Sequence, residues 1–257
     1  MKLIDTHSHL YSEQFDLDRS QVVKDAISKG IYKILLPNIS SKHTKKMLDL
    51  CEEFPKHCFP MMGLHPCDVT EKNYTSEIEH IEKELEKRKY IAIGEIGIDL
   101  HWDKSTLEIQ KKAFIYQIKL AKKYHLPIVI HVRNSFSEAI KIVESLNDEN
   151  LVGVFHCFTG DINDAKRVLA LEGFYLGIGG VLTFKNSGLS ETIQKINLKH
   201  LVLETDAPYL TPSPFRGKRN ESKYILNVAE RLAILHNISI QNVADITTKN
   251  AKELFCL

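Results

Sequence analysis

The sequence has no apolar run near the ~18 residues that a membrane span needs. A predominant charge is missing too, since 34 Lys and Arg stand against 33 Asp and Glu. With so little net charge, binding of any polyanion has to be local to a cleft. The five cysteines, Cys51, Cys58, Cys67, Cys157 and Cys256, are odd in number and form no C-x-x-C pair. That usage argues against a disulfide framework or a zinc knuckle and for free thiols in a reducing compartment. No low-complexity tract, short repeat or Pro/Gly-rich linker divides the chain, so a single domain over residues 1–257 is expected. Met1-Lys2 leads straight into a strand-like segment and leaves no room for a signal peptide. The expected setting is cytoplasmic, with no membrane partner.

What is present is an ordinary globular composition, 43% hydrophobic and 26% charged. Apolar runs at 2–5, 32–37, 58–63, 91–96, 127–132, 152–158, 174–178 and 201–204 read as strands. Helical patterns with one charged face fall between them, at 19–28, 42–54, 76–89, 106–124, 135–146, 163–171 and 189–196. A further helix at 223–235 and two short ones at 240–246 and 249–255 follow the eighth strand. The proline-rich piece 207–214 is a loop, because its prolines sustain neither helix nor central strand. Eight strands alternating with helices predict an α/β fold, a (β/α)8 TIM barrel, with an open doubly wound sheet as the competing architecture.

A barrel puts its chemistry at the C-terminal ends of its strands. Those ends read His7 and His9, Asn38, His65, Glu95, His131, His156, Gly179 and Asp206. Five of the twelve histidines fall on this one rim, which scattered surface histidines would not do. His7 and His9 are separated by one residue, so on an extended segment their imidazoles share a face. Glu95 interrupts the apolar run 91–98, where a carboxylate is costly to bury unless a cation or donor meets it. Its two oxygens could bridge two metal ions; the alternative is a structural glutamate paired with an arginine. His131 and His156 each close an apolar run and, taken singly, read first as hydrogen-bonded core histidines and only second as ligands. Asp206 is a candidate ligand that could also orient a water, and Glu204 a candidate support for such a ligand. Cys157 is expected to point away from His156 as a small core hydrophobe. Four histidines, one glutamate and one aspartate give mixed N/O ligands for two divalent cations, zinc, manganese or magnesium. Two cations ~3.5–4 Å apart can activate a bridging hydroxide, which points to hydrolysis.

At this point the chain resembles a known family. Asp5-Thr6-His7-Ser8-His9, Gly63-Leu64-His65-Pro66, Gly94-Glu95-Ile96-Gly97-Ile98-Asp99, His156-Cys157-Phe158-Thr159-Gly160, Glu204-Thr205-Asp206-Ala207-Pro208 and Arg216-Gly217-Lys218-Arg219-Asn220-Glu221 are similar to the signature blocks of the TatD family. These are metal-dependent deoxyribonucleases of the amidohydrolase-like TIM-barrel group. Ser222 departs from the pattern, since the family usually carries proline after the last block. The resemblance implies one metal on His7, His9, Glu95 and Asp206, and a second on the shared Glu95 with His131 and His156. It further implies 3′-to-5′ exonuclease activity, mainly on single-stranded DNA.

The remaining polar residues suit a phosphodiester. Arg133 follows His131 by two residues, and Arg216, Lys218 and Arg219 form a local basic cluster. A guanidinium offers a planar fork that matches phosphate oxygens, though either arginine could be a solvated loop charge. His65 is a candidate phosphate contact or proton donor. Trp102, Phe184 and Tyr209 are loop aromatics on which bases could stack. The expected catalytic groups are Asp206 and Glu95. The competing function is an amidohydrolase cleaving a small amide or lactone; a modified lysine often bridges the metals there, and Glu95 in that place favours the nuclease.

Overall fold

The computed structural model describes all residues, Met1–Leu257. Its eight strands are β1 Leu3–Asp5, β2 Ile31–Leu36, β3 Cys58–Pro60, β4 Ile93–Asp99, β5 Ile128–Arg133, β6 Gly153–Phe155, β7 Phe174–Ile178 and β8 Leu201–Leu203. The helices between and after them are α1 Arg19–Ser28, α2 Ser41–Glu53, α3 Tyr74–Lys87, α4 Leu107–Tyr124, α5 Phe136–Leu146, α6 Ile162–Leu169, α7 Leu189–Ile193, α8 Ile225–His236 and α9 Ile240–Phe255. Every strand pairing is parallel, so each strand is covered on both faces and reads as an apolar run with little alternation.

Regular ladders join β1 to β3 in one group and β4 to β8 in another. The two seams between these groups are held by shorter contacts. At one, Met62 bridges Ile93, with Gly94 N–H donating to Met62 O at 2.9 Å. At the other, Ser8 bridges Ala207, with Thr6 N–H donating to Leu203 O at 3.0 Å. The result is the TIM-barrel arrangement, with both seams at the level of the predicted rim residues.

Side chains alternate between two packed layers. Ile4, Leu35, Met61, Ala92, Val129, Val154 and Val202 point inward and fill the barrel. The larger core lies between the strands' outer faces and the helices. Ala251, Leu254 and Phe255 of α9 pack against the inward-facing residues and plug the barrel. Asn250 ties this helix to the start of β8 by donating to Leu198 O and Leu201 O at 2.8 and 2.7 Å. The helix therefore closes the N-terminal end and leaves the C-terminal rim open for chemistry.

The predicted break inside 240–255 is not there; α9 is one helix. Thr247 and Thr248 are poor interior helix formers because their hydroxyls compete for backbone partners. Here Thr247 donates to Val243 O within the helix and Thr248 to Lys2 O, so both are satisfied without a break. The fourth strand also runs further than its apolar pattern suggested, to Asp99, and its register shifts between Ile93 and Ile96. Glu95 thus sits inside the strand, at the irregularity, and its carboxylate enters the barrel mouth.

Candidate metal centre

Glu95 is buried and uses its two oxygens differently. Its Oε2 lies 3.1 Å from His7 Nε2 and 3.4 Å from His9 Nε2. Asp206 Oδ1 completes this side, 3.5 Å from His9 Nε2 and 3.7 Å from His7 Nε2. The other oxygen, Oε1, lies 2.8 Å from His131 Nδ1, 2.9 Å from His156 Nε2 and 3.4 Å from His65 Nε2. Four donors around one ion with bonds of ~2.1 Å stand about 3.4 Å apart. The first set has this spacing, with His7 Nε2 and His9 Nε2 3.2 Å from each other. On the second side, His131 Nδ1 is 3.4 Å from His156 Nε2. The donors are the nitrogen and carboxylate oxygens that Zn²⁺ or Mn²⁺ accepts, with no thiolate among them.

The outer nitrogens of the rings decide which lone pairs face inward. Tyr11 Oη donates to Pro37 O at 2.5 Å, so it accepts from His9 Nδ1, 2.9 Å away, and His9 Nε2 stays free to ligate. Asp99 Oδ2 accepts from His131 Nε2 at 2.9 Å and leaves Nδ1 facing Glu95. Glu204 Oε1, 3.3 Å from His156 Nδ1, faces that ring's outer side. His65 is different. Its Nδ1 accepts from Cys67 N–H at 3.1 Å, which puts the proton of the neutral ring on Nε2, pointing at Glu95 and His131. The ring is therefore set up as a donor toward the cleft and not as a ligand.

The charges follow from these contacts. Burial opposes ionisation of Glu95, but the His156, His7 and His65 rings outweigh it and hold the carboxyl well below its ordinary value. Burial favours neutral imidazoles at His7 and His65, and both are lowered. At His9 burial is overcome by Asp206 and Glu95, which push the ring up to about 10. His156 is raised by Glu95 and Glu204 against the same burial. Without metal, the buried carboxylates thus collect protons on their neighbouring rings, and bound cations would replace that positive charge.

Similarity to known proteins decides the family. A family model described as TatD related DNase matches residues 4–256. The chain belongs to the TatD family. It is 39% identical to an uncharacterized metal-dependent hydrolase, YabD, of Bacillus subtilis, over 98% of each chain. Another such hydrolase, from Buchnera aphidicola of Acyrthosiphon pisum, is 38% identical over 99% of each. The crystal structure of YJJV, a TatD homolog from Escherichia coli, superposes with a TM-score of 0.92 at 30% identity, covering 99% of this chain and 98% of that one. The protein is accordingly a metal-dependent hydrolase with the TIM-barrel fold of this family.

In this TatD protein the cleft above the clusters has a volume of about 670 Å³. His65, Trp102, Arg133 and Tyr209 line it together with Glu95, His131, His156 and Asp206. Arg216 is not among the lining residues; its guanidinium lies 3.8 Å from the centre of the Phe184 ring. Arg219 of the same basic cluster is bound by Asp18 at 2.8 and 2.6 Å and is neutralised there. Cys157 corrects the expectation of a core thiol. The strand ends at Phe155, and Cys157 takes a left-handed backbone with φ of 46°, so alternation no longer applies and the residue lines the cleft. Asn38, the rim residue of the second strand, is structural: its side chain donates to Gly63 O at 2.9 Å. Ser222, at the position where the family usually has proline, is buried with its hydroxyl 3.4 Å from Ser8 Oγ.

Asp99 and Tyr11 were not singled out by sequence reasoning, although a signal for Asp99 existed. It lies four residues after Glu95 on one strand and so on the same face. Gly97 between them has φ of 145°, and a Cβ there would come within 2.0 Å of His131 O. That close approach brings β5 and His131 against both carboxylates.

No helix is long and apolar enough to cross a membrane.

Proposed function

We propose that this chain is a deoxyribonuclease that removes nucleotides from the 3′ end of single-stranded DNA at a centre for two divalent cations. His7, His9, Glu95 and Asp206 would hold one cation, and Glu95, His131 and His156 the other. Carrying this reading is the shared glutamate, whose oxygens each face a separate set of imidazole nitrogens 2.8–3.4 Å away. Bound there, divalent cations of the Mg²⁺, Mn²⁺ or Zn²⁺ kind would supply Lewis-acid stabilisation of the phosphoryl oxygens and hydroxide at neutral pH.

The protein's own groups supply the rest. Asp206, the most exposed carboxylate of the cluster at 15% for its side chain, accepts the proton of the attacking water. His65 presents Nε2–H to a non-bridging or departing oxygen of the phosphodiester. Arg133 offers a guanidinium to a neighbouring phosphate. Arg216 would reach substrate only beyond the cleft, where the strand leaves it.

The test is a time course on 5′- and 3′-labelled single- and double-stranded DNA with each metal, beside Glu95→Ala. Stepwise shortening from the 3′ end of single strands, lost in the variant, is the expected result. Intact DNA with every metal, together with turnover of a small amide or lactone, would move the chain to the amidohydrolase reading.

A further inference from the structure

Two aromatic side chains are left in water at the mouth of the metal cleft. Trp102 is 73% exposed and Tyr209 50% exposed; the other exposed large hydrophobics are Met1, Leu17 and Ile234, none of which lines the cleft. Apolar area kept in water around a functional cleft marks a surface awaiting a ligand. The two rings also sit on opposite sides. Tyr209 is beside the His7–His9–Asp206 set, with its ring centre 6.4 Å from that of His9 and its N–H donating to Asp206 O at 2.8 Å. Trp102 is on the His131 side, three residues after the Asp99 that holds His131. Its indole is braced, with the Arg133 guanidinium 5.3 Å and the His101 ring 4.8 Å from its centre. With both contacts made, most of the indole still faces water and can take an aromatic partner.

We infer that Trp102 and Tyr209 are base-stacking residues that grip the nucleotides on either side of the scissile phosphate. The inference rests on the nuclease reading and adds what that reading lacks, namely how a nucleic acid is distinguished from other phosphodiesters. Glu95 lies between the two sides, so a phosphate held there carries one nucleoside toward Tyr209 and the other toward Trp102. Stacking needs an unpaired base with its face exposed, which a single strand offers and an intact duplex does not. Each base has such a face, so the grip is indifferent to sequence.

Trp102 is the chain's one tryptophan, so its fluorescence reports on this surface alone. The metal-loaded protein is mixed in a stopped-flow instrument with hexathymidylate, or with a hexamer of abasic units carrying the same charge, and read before hydrolysis. Hexathymidylate should quench Trp102, and the abasic hexamer should not. By anisotropy, Trp102→Ala and Tyr209→Ala should each weaken hexathymidylate binding about fivefold to a hundredfold and leave binding of the abasic hexamer as it was. Trp102→Phe should restore most of the loss. Equal quenching by the two hexamers, or unchanged affinity in both alanine variants, would overturn the inference. DNA hydrolysis by the wild type is scored separately. Hydrolysis without base-dependent quenching removes the stacking alone, whereas base-dependent quenching without hydrolysis keeps it and removes the proposed reaction. Neither hydrolysis nor binding removes both.

Discussion

Replacing Asp99 by asparagine tests whether a residue outside the proposed ligand set governs the affinity of one of the two proposed ions. The Asp99 carboxylate is buried and held at both oxygens, Oδ1 by the His101 N–H at 2.8 Å and Oδ2 by His131 Nε2 at 2.9 Å. Burial would raise its pKa, but the hydrogen bond from His131 and that from His101 hold it down at about 2, so it is an anion at working pH. Asparagine is nearly the same shape and has one acceptor in place of two. If the amide oxygen keeps the His101 bond, its NH₂ faces His131 and forces the ring to move its proton to Nδ1, which takes the ligating lone pair away from Glu95. If the amide turns over, His101 N–H loses its partner instead. Loss of such a supporting contact costs ten- to a hundredfold in metal affinity, or about 1.4–2.7 kcal/mol. Asp99→Asn should therefore weaken one ion by that factor in a calorimetric titration. The other ion should be untouched, because His9 is oriented independently through Tyr11. Unchanged affinity for both ions, or equal loss at both, would refute the tautomer argument.

Other perturbations separate the two sides of the centre. Glu95→Ala should lower metal content at both positions after dialysis, and His131→Ala mainly at one; equal loss in the two variants would mean that Glu95 is not the bridge. Because Asp206 and Glu95 push His9 up to about 10 without metal, metal uptake below that pH must expel a proton. Affinity should then rise about tenfold per pH unit for each proton released, and a flat profile from pH 6 to 8 would exclude the exchange. With Arg219 already paired to Asp18, few free cations serve the cleft, so log-affinity for single-stranded DNA should fall with log-salt at a slope of roughly −1 to −3, and one near −8 would expose an unseen basic track. Asp206→Asn should bind DNA and keep much of its metal while losing ~10²-fold or more in kcat, since an amide can ligate but cannot take a proton; near-normal kcat with metal bound would leave Asp206 a ligand only.

Sequence showed which side chains would meet at one rim, and the reason is geometric. Parallel strands buried on both faces announce themselves as apolar runs, and a barrel sends the residue after each run to one rim. The gathering of His7, His9, Glu95, His131, His156 and Asp206 was therefore legible before any coordinate. Alternation fails where the backbone leaves the extended region, and Cys157 and Asp206 both do so, with φ of 46° and 56°. For Asp206 the turn brings the carboxylate back over the cluster, where its N–H donates to His7 O at 2.9 Å. For Cys157 it turns a supposed core thiol into part of the cleft wall. Charge pairing was hidden for a different reason. Nothing local to Arg219 reveals Asp18, which lies two hundred residues away, so a basic cluster that reads as free in the sequence is partly spent on holding the loop in place. The orienting groups differ in this respect: Asp99 is given away only by its four-residue spacing from Glu95, while Tyr11 looks like any core tyrosine until the ring it faces is known. A candidate ligand set can be read from residue types that recur on one rim, because groups that share an ion must point to a common centre. The tautomers that would let those candidates ligate depend on contacts across the barrel, and only the folded chain supplies them.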